Sequence, residues 1–489
     1  MGRRPRAAPE GEDPRLLPGP WKAGRHAAAA EEEEFQRPPH FYSTLSLLYL
    51  VCVVEGADLQ LLPVTFRALE ASLGLTPTNL AQLGLAQGLA MSVSAPIWGS
   101  LADNGWSRKW LLGVGATGWG CATLALAMVS SFHTMLLLRL VNGAFLGTLG
   151  PISQSMVADM TRKHERGLAF GFGQLGSHLG SISCAVFAAT VSNQHVLGFE
   201  GWRVSFVFIA LVSFVLALAL VIGIEEPQRS REPATPSLSR EFSRFRGYWR
   251  IDTFKVMVAQ GVVGSIPWSA MSFTILFFQY CGISDTYSAV LYGVAIFCCG
   301  LGGLIGGLVA DRLALWSPNH GRALAAQFSI LCGMPFIVAV LEVMPPSVHS
   351  FWTFVVLMAG FGLVASWCGT AVNRPVMADI VDDKGRAGVI AWLTALEGSS
   401  SACLGAPVVG LLAERWFGYQ TTTLQVSEMP NSLRHSNVLA LSHAILWCTI
   451  GPWIACFVCM SLLHITYGPD VARVEAASRD SARATTALV

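Results

Sequence analysis

Two acids three residues apart, Glu55 and Asp58, sit inside the first apolar stretch of the chain, Phe41–Pro63. That spacing sets both on one face of a helix. A carboxylate at mid-membrane costs roughly 2.5–3.5 kcal/mol on insertion scales, so it is read first as a working group. Arg139 lies in the fourth apolar stretch. At about 1.5 Å per residue, Asp58 and Arg139 each lie about 7–8 Å from the same membrane face. The trio points to an ion- or substrate-coupling site. The two acids can share one proton and titrate as a pair. A proton arriving there would free Arg139 for an anionic or zwitterionic solute, and the solute would free the acids. The alternative is a static ion pair that fixes helix packing.

No mirror of this trio occurs in the second half of the chain. Trp268 and Gln279, Trp367 and Asn373, and Glu397 instead mark an aromatic, mostly apolar wall suited to an amphipathic substrate. Single aromatics at such positions also serve as core or lipid-facing residues. Glu397, as an ionisable residue in a span, is a cavity candidate. His178 reads as a core histidine, with a proton relay as the other reading.

These residues need helices to hold them. Of 489 residues 53% are hydrophobic and 13% charged, with mean hydropathy +0.50. A soluble domain averages about 25% charged residues. The chain is therefore read as an all-α, multi-pass membrane protein. Apolar runs of about 20 residues give twelve spans: 41–63, 79–101, 110–130, 134–156, 167–191, 202–224, 254–280, 287–310, 323–345, 351–376, 387–413 and 438–466. The hydrophilic stretch Glu225–Arg250 divides them six and six. The expected organisation is a disordered cytoplasmic tail (1–40), a six-helix bundle (41–224), a linker (225–253), a second bundle (254–466) and a cytoplasmic tail (467–489). The first tail lacks a signal peptide's apolar core and holds Glu12–Leu17, similar to an acidic dileucine sorting signal. With both termini cytoplasmic, only Arg67, Arg203, Arg415 and Arg434 of the 32 Lys and Arg lie outside, and Arg139 lies in the membrane.

The two halves repeat. Asp159 and Arg166 precede span five as Asp379 and Arg386 precede span eleven; Gly99 and Asp103 end span two as Gly307 and Asp311 end span eight. These charges, with Arg108, Lys109 and Arg312, are expected to pair only when the cytoplasmic ends of the halves approach, and so to gate the cavity. Glycines in span five (Gly167, Gly171, Gly173, Gly176, Gly180) and span eight (Gly302, Gly303, Gly306, Gly307) permit close backbone approach. Close packing alone accounts for them; a sliding interface between the halves is the added expectation.

The stretch GSLADNGWSRK (Gly99–Lys109) resembles the hallmark loop of the major facilitator superfamily, G-x-L-x-D-R-x-G-R-[RK]. Asn104 stands in place of the usual Arg and Ser107 in place of the usual Gly. GGLVADR keeps Gly307, Asp311 and Arg312, and RLVNG (Arg139–Gly143) is similar to the family's fourth-helix motif. DLQLLP, RGLAFGFGQLGSHLG and GWRVSF resemble the Spinster-like branch, although that branch's first-helix Asp is usually followed by Arg and here by Leu59. The resemblance implies a major facilitator fold in which helices one and four line the cavity, five faces eight and eleven faces two. It implies a secondary transporter working by alternating access, for lysolipids, sphingoid lipids or related organic anions, often with protons.

The function expected is thus proton-coupled transport of a small organic anion, zwitterion or lipid-like solute. An uncoupled facilitator and a non-transporting sensor or scaffold of the same fold are the alternatives. The expected partners are solute, protons and the bilayer, for a monomer in the plasma or endolysosomal membrane. Twelve scattered cysteines without a C-x-x-C pair support no metal site. No cofactor, enzymatic activity or nucleic-acid binding is expected.

Overall fold

The computed structural model describes residues 40–103, 105–161, 166–196, 198–226, 245–381 and 386–486. The expected sorting signal, the flanking tail and most of the linker lie outside these residues.

Among the described residues, twelve helices are long and apolar enough to cross a membrane: Phe41–Val64, Pro77–Ala102, Arg108–Met128, Phe132–Met160, Leu168–Ser192, Gly201–Gly223, Asp252–Tyr280, Asp285–Trp316, Gly321–Val343, Val348–Ala365, Trp392–Arg415 and Asn431–Ala477. They are called spans one to twelve. Both ends of the bundle sequence fall on one side, the termini side; the opposite side is the far side. The last helix runs on unbroken to Thr486, so much of the expected C-terminal tail extends span twelve.

Within the first half, span one packs on five, two on four and three on six; within the second, seven packs on twelve and eight on ten. Spans five and eight, and two and eleven, meet across the halves, as the family resemblance implied.

The glycine stripes serve a different contact from the expected one. A Cβ on Gly180 would run into the Val53 carbonyl of span one, and one on Gly56 into the Ser177 carbonyl of span five. The Ser181 hydroxyl donates to the Gly56 carbonyl at 2.9 Å. A Cβ on Gly302 or Gly306 would meet Leu363 or Trp367 of span ten. The stripes therefore lock helices within each half, where lipid offers no hydrophobic drive and close packing must hold the helices together. The face between spans five and eight is lined instead by contacts such as Ile182 near Gly293 and His178 near Gly300.

Several spans are broken where they pass polar groups. Span seven changes to a 3-10 turn at Met271–Phe273, after Pro267, before resuming at Thr274–Tyr280. Span ten continues through a π-helical segment, Cys368–Asn373, into Arg374–Asp379. Span eleven breaks at Gly405, ahead of Pro407. A π segment adds a residue to one turn and re-aims the side chains that follow, and such bulges frequently mark functional sites.

Candidate functional site

Asp58 is fully buried (0% exposed) on span one, and Arg139 is 1% exposed on span four. The structure brings them together through a residue that charge and spacing did not single out. Gln87 of span two donates from Nε2 to Asp58 Oδ2 (2.8 Å) and to Asn142 Oδ1 (2.8 Å). Arg139 Nη2 donates to Gln87 Oε1. Asn142 Nδ2 donates on to Thr123 Oγ1 of span three at 2.9 Å. The acid, the amides and the guanidinium thus form one chain across four spans. Gly143 lets it close, because a Cβ there would meet the backbone of Gln87.

The chain is incompletely satisfied. Among the described residues, Asp58 Oδ1, Arg139 Nε and Nη1, and Trp119 Nε1 have no hydrogen-bond partner. Buried polar atoms normally find one; Asp58 Oδ1 can take a proton, and the Arg139 and Trp119 N–H groups can donate to a water, without dismantling the network. Asp58 and Arg139 make no direct ion pair among the described residues; Gln87 stands between them. Glu55, one turn earlier on span one, is half-buried beside Gly150 of span four, where a Cβ would lie 3.4 Å from Glu55 Oε1. Arg139 is enclosed in this arrangement, held to Gln87 rather than to either acid.

The cavity candidates of the second half divide. Trp268, Asn373 and Glu397 line one cavity of about 140 Å³ with Gln260, Ser265 and Trp453. Trp367 does not line it. Its indole donates to the Leu363 carbonyl (2.7 Å) and packs on Phe328 with centroids 5.3 Å apart. It fills the space over Gly306, so it is a packing residue between spans eight and ten. Gln279 lies at the far end of span seven, donating to Asp285 Oδ1 at 2.9 Å. It borders a separate far-side pocket with Arg67 and Arg434.

The described termini-side charges make the following contacts. Arg108 Nη1 pairs with Asp159 Oδ2 at 2.6 Å, and the Arg108 backbone N–H donates to Glu226 at 2.8 Å. Asp159 ends span four and Glu226 follows the end of span six, so both partners reach the start of span three from first-half helix ends. In the second half Asp311 pairs with Arg322 (3.3 Å), and Asp379 accepts from the Tyr467 hydroxyl (2.6 Å). Arg312 is exposed, and a Cβ on Gly99 or Gly307 would meet nothing within 4 Å. None of these pairs needs the halves to approach. Lys109, half-buried, has no such pair among the described residues. The side chains of Asp103, Arg166 and Arg386 lie outside the described residues.

Cross-half hydrogen bonds among the described residues lie instead on the far side. Glu70, in the short helix Phe66–Leu73, is 0% exposed and accepts from the Tyr280 and Tyr419 hydroxyls and the Thr422 N–H. Arg67 pairs with Glu70 at 3.0 Å and donates to the carbonyls of Thr422 and Leu424. Glu414 accepts from the Thr78 N–H at 2.5 Å. The far side is closed.

Comparison with known proteins accords with this architecture. The family model described as Major Facilitator Superfamily matches residues 48–371. The multi-drug resistance efflux pump PmrA of Streptococcus pneumoniae is 30% identical over 169 residues, 32% of this chain and 40% of the pump. The cis,cis-muconate transport protein of Acinetobacter baylyi is 25% identical over 186 residues, 37% of this chain and 43% of that protein. The match thus spans less than half the length of these curated relatives. A crystal structure of a bacterial homolog to the human lysosomal transporter Spinster, inward-facing and unoccupied, aligns with TM-score 0.72 at 19% identity, over 89% of this chain and 99% of that one. A D-xylose-proton symporter aligns with TM-score 0.61 at 13% identity, over 84% and 97%. These structures share the fold.

Proposed function

Since the chain belongs to the Major Facilitator Superfamily, we propose that it is a secondary transporter that couples movement of a small organic solute to protons through Asp58. The observation that carries this reading is the buried Asp58 carboxyl, held at one oxygen by Gln87 and unpartnered at the other. A carboxyl in that setting exchanges a proton at Oδ1 while Oδ2 stays tethered. Its charge is felt by Arg139 across Gln87 Oε1, so protonation changes the balance of forces among spans one, two and four. Glu55, on the same face and half-buried, is the group that passes the proton on to and from Asp58. Two acids and one guanidinium, with a proton between them, give a site whose charge changes by one during the cycle.

Alternating access follows from the two-bundle build. The far-side closure through Glu70, Tyr280 and Tyr419 seals one entrance, and the termini side is the entrance left for exchange with the cytoplasm. The protein is read as both-termini-cytoplasmic and as a monomer, in the plasma or an endolysosomal membrane.

The test is flux in proteoliposomes under an imposed pH gradient, wild type beside Asp58→Asn, over a pooled set of lysolipids, organic anions, amino acids and sugars. Gradient-driven accumulation lost in Asp58→Asn, with solute exchange retained, supports the coupling role. Accumulation unchanged in the variant makes the network structural and the protein an uncoupled facilitator.

A further inference from the structure

The second half holds a polar cavity that the Asp58 network does not use. It encloses about 140 Å³ between spans seven, nine, ten, eleven and twelve. At about 30 Å³ per liquid water, it has room for a group of several heavy atoms. Gly261 gives Glu397 its seat there, since a Cβ would lie 2.7 Å from the Glu397 Cγ and Oε1.

Three polar groups face this space with bonding capacity unfilled. The Glu397 carboxylate accepts from Asn373 Nδ2 at 3.2 Å, and no Lys or Arg lies within ion-pair distance among the described residues. Asn373 Oδ1 is buried and has no partner. Gln260, 2% exposed, accepts from the Cys456 thiol at 3.5 Å, while its Nε2 has no partner. The remaining wall is aromatic: Trp268 and Trp453, with ring centroids 6.4 Å apart.

We infer that this cavity receives an ammonium group that carries N–H bonds, the cationic end of an organic solute, with Glu397 as its counter-ion. The inference rests on the transporter reading above and names a chemical class for its solute. A carboxylate, an open amide oxygen and two indole rings all favour positive charge. An anion would meet the Glu397 charge, which no ion pair neutralises among the described residues; Arg374, exposed and next to Asn373 in the chain, acts on it only at longer range. The Asn373 oxygen and the second Glu397 oxygen call for hydrogen-bond donors, which a quaternary ammonium lacks. The Gln260 amide is left to donate to an oxygen on the same solute or to a water carried with it. The π-helical turn at Cys368–Asn373 forms part of the wall, because Cys368, Gly369 and Asn373 all border the cavity.

Binding to the purified full-length protein tests this without a gradient. The probes are n-butylammonium, tetramethylammonium, n-butyrate and sodium chloride, read by tryptophan fluorescence and by the thermal unfolding midpoint. The expected result is saturable quenching and a raised midpoint with n-butylammonium, at least about tenfold tighter than with tetramethylammonium, and no saturable response to butyrate or sodium. In Glu397→Gln, which keeps the side-chain shape, n-butylammonium affinity falls by about tenfold or more. The binding measurement uses no pH gradient and the flux test no ammonium probe, so failure here and failure of proton coupling are separate results. An equal response to butyrate overturns the proposal, as does a response to sodium in place of n-butylammonium. So does unchanged affinity in Glu397→Gln. Should that variant not fold, equal affinity of the wild type for tetramethylammonium and n-butylammonium overturns it as well.

Discussion

Tyr419, from the second half of the chain, donates its hydroxyl to both carboxylate oxygens of Glu70, from the first half, at 2.8 Å. Tyr280 adds bonds at 3.0 and 3.1 Å, and the two phenols touch each other at 2.8 Å. A hydrogen bond to a charged group contributes about 1.5–3 kcal/mol. Removing one with Tyr419→Phe should therefore shift the closed–open equilibrium of the far side by about ten- to a hundredfold toward open. Spin labels at Ser131 and Gln425, on opposite halves, report the change as a longer distance. A Tyr419→Phe/Glu70→Gln double-mutant cycle should show the two effects to be strongly non-additive.

The same closure responds to pH. Burial raises the Glu70 carboxyl above its ordinary 4.5, against the lowering pull of Arg67, the Tyr419 hydroxyl, the Thr422 N–H and the Tyr280 hydroxyl. Burial also holds the Tyr419 phenol well above its ordinary range, so it remains a donor. When the far side opens, water reaches Glu70 and its pKa returns toward the ordinary value. A carboxyl whose pKa is higher in the closed state favours closure when protonated. That gain is fully present below about pH 4.5 and is lost as pH rises through the raised value. The closed fraction measured by spin-label distance should therefore grow on acidification in wild type, and this dependence should flatten in Glu70→Gln.

What was legible in the sequence was charge out of place. Asp58 and Arg139 stand out because ionised groups are costly in apolar runs, and their depths could be matched by counting residues. Gln87 and Asn142 were not legible, since a neutral amide in a span carries little signal, although Asn142 lies three residues after Arg139 on the same helix face. Glu70 was missed for another reason. It sits on a short helix between spans, and its partner Tyr419 is 349 positions away. The glycine stripes were legible as sites of close approach, but periodicity does not say which neighbour approaches. The repeated Asp–Arg pattern likewise gave the positions of the termini-side charges and not their pairing, which adjacent helix ends within each half decide.

Gln87 carries three hydrogen bonds at the centre of the coupling network, to Asp58, Asn142 and Arg139. Gln87→Ala leaves Arg139 buried without the one acceptor bonded to it among the described residues. Loss of a partner from a buried charge costs about 3–5 kcal/mol in strongly destabilised cases. The unfolding midpoint in detergent should fall clearly. Gln87→Glu should fall less, since it restores an acceptor for Arg139, but it sets a second acid against Asp58 and should shift the pH at which gradient-driven flux is half-maximal. Equal midpoints for Gln87→Ala and wild type would mean that Arg139 finds another acceptor.

The packing of span five on span one gives the last prediction. A Cβ at Gly180 collides with the backbone carbonyl of Val53, and one at Gly56 with that of Ser177. Neither neighbour is a flexible side-chain end, so the helices must move apart. Gly180→Ala and Gly56→Ala should each destabilise the protein by about 1–3 kcal/mol, the usual cost of overpacking. Gly171→Ala and Gly307→Ala, with nothing within 4 Å, should leave the midpoint unchanged or slightly raised, because alanine is the better helix former. The contrast separates two roles for the stripe. If it locked the first half internally, Gly180→Ala would lower the midpoint without altering the far-side closed fraction. If it were the sliding surface between halves, the same substitution would shift that fraction and leave the midpoint near wild type. The contacts on span one favour the first outcome, and paired thermal and spin-label measurements on one variant decide it.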